Sequence, residues 1–143
     1  MTDTQRAKDY LSRVRGVDRE IDAKLEIVHM YRTKLLTVKI PTLSDMNVQE
    51  SQMTTNEDRI IKYIEMEEAV NDMIDRLVDM REEVFSEINA LSDGTNRTIL
   101  IRRYIINETW EEIAEATNYS KQHVTRLHGT ALEAFARRYP DKR

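Results

Sequence analysis

Apolar residues recur every three or four positions along the first part of the chain: Leu11, Val14, Val17, Ile21, Leu25, Val28, Tyr31, Leu35 and Val38. That period puts them on one side of a helix over residues 5–38. Val14, Ile21, Val28 and Leu35 form a strict seven-residue series within it. Gly16, the one glycine of the run, weakens a helix by about 1 kcal/mol relative to alanine. Asp18 and Lys24 are read as points where the stripe turns outward. Pro41 then forbids a continuous helix and biases Ile40 toward an extended backbone. Ser, Thr, Asn and Gln dominate the residues after it, so a mobile loop is expected over about 39–57.

A second period starts at residue 57. Ile60, Glu67, Ile74, Arg81 and Ile88 make one heptad series, and Tyr63, Val70, Leu77, Val84 and Leu91 make the other. These are the a and d positions of a coiled-coil seam, imperfect at Glu67 and Arg81. Two helices of about 50 Å joined by one loop fold back as an antiparallel hairpin. A hairpin alone buries little, so self-association or packing on the C-terminal part is expected. Ser92–Gly94 is a stop signal. The run after it, Asn96 to Ile106, holds Ile99, Leu100, Ile101, Tyr104, Ile105 and Ile106. It is too apolar for a one-faced exposed helix and belongs at the centre of a small C-terminal core. The expected architecture is all-α, with a hairpin over 1–92 for oligomerisation and a DNA-binding domain over 93–143.

The stretch TWEEIAEATNYSKQHVTRL, 109–127, carries the most specific local signals. Thr109 and Glu112 form a capping box. Ala114 is small enough for a crossing helix to approach closely. Asn118 follows four residues later and tolerates positive φ best after glycine. Ser120 is an N-cap for the next helix. Val124, Leu127 and Ala131 give that helix an inner face, and Lys121, Gln122, Thr125, Arg126 and Gly129 share its outer face. A small residue, a left-handed residue at +4, an N-cap at +6 and an aliphatic at +10 make the helix-turn-helix layout. Placed in a major groove, Arg126 and Lys121 donate to guanine and Gln122 pairs with adenine. Thr125 meets a thymine methyl or a phosphate, the amides at Ser120 receive a phosphate, and His123 touches the backbone. Arg102 and Arg103 are further candidates for backbone contact.

Charge first speaks against nucleic acid, because the formal net charge is −4. Its distribution reverses that. Residues 57–92 carry net −7 and 41–56 net −2, whereas 1–40 carry +3 and 93–143 carry +2. The acid belongs to one central helix, and a whole-chain value says little about a local binding face. Without cysteine, disulfide and thiolate chemistry are excluded. His123 and His128 are five apart and His29 is remote, so no metal and no cofactor is expected. No nucleophile set, phosphate loop or carboxylate pair stands out, and an enzyme is not expected. No apolar run reaches the length of a membrane span, and a cytoplasmic protein is expected.

ILIRRYIINETWEEIAEATNYSKQHVTRLHGTALEAF, from residue 99, resembles region 4 of sigma-70-type factors. The matching features are Arg103-Tyr104 at the end of an apolar helix, the turn Asn107–Thr109, Glu111–Ala114, the turn Asn118–Ser120, and Val124–Leu132. Both turn positions that often hold glycine there are asparagine here. With its long N-terminal helices, the whole chain is similar to phage and prophage late-transcription activators of the ArpU/RinA type. YLSRVRGVDREIDAKLE and WEEIAEATNYSKQHVTRLHGTAL are the segments that look most like them. The resemblance implies a regulator of promoters, more an activator than a repressor. It reads double-stranded DNA with helix 120–135 as a homodimer or higher homo-oligomer, with host RNA polymerase as a further partner. A stand-alone sigma factor would need promoter-melting parts for which the hairpin leaves no room. Two rival readings remain: a protein-interaction module for RNA polymerase or another phage protein, and a small subunit of a phage DNA-packaging machine.

Overall fold

The computed structural model describes the backbone of residues 2–36 and 46–142 and the side chains of 2–34 and 57–142. Among these residues the protein is all helical, with no strand. Helix α1 spans Asp3–Leu36, α2 Met46–Asn89, α3 Gly94–Leu100, α4 Trp110–Thr117 and α5 Lys121–Arg138. A π-helical turn, Ile101–Ile105, continues α3, and a 3-10 turn, Pro140–Lys142, closes the chain. None of the described helices is long and apolar enough to cross a membrane. Residues 39–45 of the expected loop, Pro41 among them, and Val38 of the first stripe lie outside what is described, as does the side chain of Leu35.

The expected loop is shorter than the composition suggested, because α2 already begins at Met46. Residues 42–93 contain no glycine or proline. Gln49, Glu50, Gln52 and Met53 are good helix formers, so polarity alone does not stop the helix there.

The chain forms two compact units. One comprises residues 1–18 with 77–143, and the other residues 19–76. Within the first unit, Ala7, Leu11 and Val14 of α1, Leu77, Val84 and Ile88 of α2, and Leu91 just after α2 are buried. Partners run in opposite directions along the two helices. The Tyr10 hydroxyl donates to the Glu87 carboxylate (2.9 Å), and Arg81 donates to Asp18 (2.8 Å). Asp18 therefore faces inward, contrary to the expected outward turn. It is the partner that Arg81, the apparent defect of the heptad series, requires.

Within the second unit the buried apolar side chains are Ile21, Val70 and Met73. Lys24 is half-exposed, its ammonium 3.3 Å from the Met73 sulfur and 3.3 Å from the Glu20 carboxylate. The a series read from the sequence does not hold here, since Ile60 and Glu67 are exposed. At about 100° per residue, Met73 lies about 60° from Val70 on one side, and Glu67 lies about 60° away on the other. The buried stripe takes the methionine side.

The C-terminal helices are joined by backbone geometry that the sequence only half discloses. Asp93 caps α3, accepting from the Asn96 amide (3.0 Å). The π turn is closed by the Ile106 amide donating to the Ile101 carbonyl (3.0 Å). Its wider winding changes which positions face inward. Tyr104 is buried, whereas Ile106, expected in the core, is exposed. Ile99, Ile113 and Val124 form a buried cluster against which Trp110, Ala114 and Leu127 pack.

His128 lies beside this cluster, on the inner side of α5. It shares a 2.7 Å hydrogen bond with the Tyr104 hydroxyl, and its ring meets Trp110 edge-on at 4.6 Å. Burial pushes the imidazole down to about 4 and the Tyr104 phenol up to about 12. In the unfolded chain the imidazole titrates near its ordinary 6.5. The unfolded state thus binds the extra proton first, and stability falls as pH drops from 6.5 toward 4. Going from pH 7 to pH 5 should cost the protein roughly 2 kcal/mol more than it costs His128→Gln. Urea unfolding of both proteins at the two pH values measures that difference; equal losses would contradict it.

Candidate functional site

The surface around α4 and α5 is built by two caps and one left-handed residue. Thr109 accepts from the Glu112 amide (3.2 Å), and the Glu112 carboxylate accepts from the Thr109 amide (3.0 Å), closing the capping box at the start of α4. Asn118 ends α4 with φ 60° and ψ 25°. Ser120 then caps α5, its hydroxyl accepting from the His123 amide (3.1 Å). Three residues, Asn118 to Ser120, thereby connect α4 to the capped start of α5. Asn107, the other asparagine turn position, also has positive φ, 67°.

This local geometry exposes the side chains singled out in α5. Lys121, Gln122, Thr125 and Arg126 are exposed, while Val124 and His128 are buried and Leu127 half-buried. Gln122 and Arg126 are one helical turn apart on the same face. Lys121 is paired with Glu111 of α4 at 2.6 Å, an exposed contact that water and salt weaken. The ammonium holds the Glu111 carboxyl below its usual range. Thr125 spends its hydroxyl on the Lys121 carbonyl (3.0 Å). His123 is half-buried, with Tyr119 edge-on to its ring at 4.8 Å. Tyr119 is itself exposed and was not among the residues read as surface contacts. The first turn of α5 has amides without intrahelical acceptors, which favours an anion there.

Arg102 lines a shallow cavity with Ala116, Thr117 and Tyr119, beside the turn between α4 and α5. Arg102 bridges to Glu108 (3.0 Å). Arg103 donates to the Glu108 carbonyl (3.1 Å) and stacks over Trp110 at 4.1 Å from the ring centroid. Both guanidinium groups therefore brace the approach to α4. Arg15 of α1 joins them, donating to the Arg103 carbonyl (2.8 Å) and the Glu108 carbonyl (3.3 Å). Asp18 accepts from the Asn107 side-chain amide (2.6 Å). Arg15, Asp18 and Asn107 position this approach through contacts that no sequence motif marks. Nearly ninety positions separate Asn107 from Asp18, and no local pattern signals such a contact.

The C-terminal turn is clamped to the same unit. The Lys142 ammonium contacts Glu83 (2.8 Å), Glu87 and the Tyr10 hydroxyl (3.0 Å). These partners raise its affinity for a proton, and the ammonium in turn lowers that of Glu83. Tyr139 donates to the Glu87 carbonyl (2.8 Å). The cluster sets the end of α5 against α1 and α2.

The turn geometry gives a direct test. Asn118→Val forces a β-branched residue into the left-handed region and should lower stability by roughly 1–2 kcal/mol. Asn118→Gly should change it by less than about 1 kcal/mol. Thermal unfolding of both variants measures this, and equal destabilisation would contradict a left-handed requirement at 118.

No curated protein and no solved structure matches the chain. The family model described as a protein of unknown function (DUF1492) matches residues 37–135, from ahead of α2 to near the end of α5, and the chain belongs to that family.

Proposed function

We propose that the protein is a sequence-specific, duplex-DNA-binding regulator of promoters. In this reading α4 and α5 form a helix-turn-helix of the sigma region 4 type, carried by a hairpin of α1 and α2. The likeness to late-transcription activators of the ArpU/RinA type belongs to the same proposal. The observation that carries it is the three-residue turn at Asn118–Ser120. It has a left-handed first residue and a capped second helix, whose outer face carries Lys121, Gln122, Thr125 and Arg126 in solvent.

The chemistry assigned to each residue follows from its surroundings. Gln122 and Arg126 point from consecutive turns and have the donor and acceptor sets for adenine and guanine edges. Thr125 has committed its hydroxyl to the helix and offers its methyl for apolar contact with thymine. Lys121, His123 and the α5 amides at Ser120 take phosphates. Lys121 leaves Glu111 to do so, exchanging one exposed partner for another. Arg102 and Arg103, already engaged by Glu108 and Trp110, hold the start of α4 in place. The acidic side chains of α4 are spared base contact in this docking, because the first helix crosses the backbone.

Arg126→Ala and Gln122→Ala should each lose roughly 1–3 kcal/mol of discrimination at one base pair while leaving the fold unchanged. Lys121→Ala should weaken binding to all sequences and reduce the salt slope by about 1. Selection of bound genomic fragments followed by gel shifts at several salt concentrations gives both quantities. Sequence preference unaltered in both α5 variants would sink the reading.

A further inference from the structure

The unit formed by residues 19–76 is poorly provided with a core. Three of its described apolar side chains are buried, and seven large ones are exposed. The exposed ones include two stripes of matching pattern. On α1, Ala23, Ile27, Met30 and Lys34 follow one another at spacings of four, three and four. On α2, Glu57, Ile61, Ile64 and Glu68 repeat the same spacings. Ile27, Met30, Ile61 and Ile64 are 42–54% exposed. Each stripe is thus an apolar pair flanked by charge, by one basic residue on α1 and by an acidic residue at each end on α2.

We propose that a second copy of this chain covers these faces. The α1 stripe of one protomer lies parallel to the α2 stripe of its partner, and a two-fold axis repeats the contact. The register follows from the spacing. Ile27 packs on Ile61, Met30 on Ile64, and Lys34 meets Glu68. Ala23 leaves room opposite Glu57, one turn from Arg19. Sign of charge selects this arrangement over the alternatives. The described α1 segment 19–34 carries net +1, whereas 57–76 of α2 carries net −4. Pairing α2 with α2 would bring like charges together, and pairing α1 with α2 brings opposite ones. In a four-helix arrangement of this order the two acidic helices are diagonal neighbours. The interface is a matter of burial and charge and involves no DNA contact.

The chain has no cysteine, so single cysteines report the contact directly. The full-length protein should sediment as a dimer. Met30→Cys and Ile64→Cys, unfolded and refolded together, should give a disulfide-linked dimer on mild oxidation, several-fold more than either variant alone. Lys34→Glu should weaken dimerisation about tenfold, and Lys34→Glu with Glu68→Lys in the same chain should restore it. A monomeric full-length protein would overturn the proposal. So would cross-linking of either single variant as efficient as that of the mixture, or a charge swap that restores nothing. None of these readouts involves DNA, so failure here and failure of the DNA-binding reading are separable.

Discussion

The Asp18 carboxylate is the contact on which the arrangement of the first compact unit depends. It accepts from Arg81 of α2 and from the side chain of Asn107, thereby holding three segments that are far apart in the chain. Arg81 would otherwise be a half-buried guanidinium in an apolar seam, a costly residue. Asn107 would otherwise be a left-handed turn residue with no external anchor. The arrangement is not fully satisfied: Arg81 Nε and Asn107 Oδ1 are buried without hydrogen-bond partners among the described residues. Such a junction adds little net stability. Its effect is to select one geometry, because any shift of Asp18 strands two donors at once.

Beside it, Arg15 reaches the carbonyls of Arg103 and Glu108. The two α1 residues together fix the chain just ahead of Thr109, where α4 begins. The direction of α4 is set there, and the turn at Asn118 passes it on to α5. The exposed face of α5 is thus oriented by polar contacts made with α1 and α2. The apolar cluster of Ile99, Ile113 and Val124 supplies the burial but little directional preference.

The parts legible in the sequence are those encoded within about four residues. The capping box at Thr109 and Glu112, the left-handed Asn118 and the cap at Ser120 are local chemistry, and each is present. The helical periods of α1 and α2 are likewise local. What was misread depends on wider geometry. A heptad template cannot choose between Glu67 and Met66 or Met73 as the inner neighbours of Val70, because drift around the helix and the partner decide it. Asp18 looks like an outward residue until its partner Arg81 is known. The π turn after Leu100 has no compositional mark, and it moves Ile106 out of the core. The Met46 start of α2 was hidden because Ser, Thr and Asn signal a loop only weakly when no glycine or proline accompanies them.

The two turns that flank α4 both place asparagine, not glycine, in the left-handed region. Glycine would adopt that conformation with less strain, but it would also give the unfolded chain more freedom to lose on folding. Asparagine accepts a little native strain in exchange for a smaller entropic loss at each turn. In a region this short, that exchange reduces how much burial is needed to order α4 and α5. The same substitution gives each turn a side-chain amide. At Asn107 that amide is already used, as the donor that ties the turn to Asp18. One residue type thus serves as hinge at one turn and as both hinge and anchor at the other.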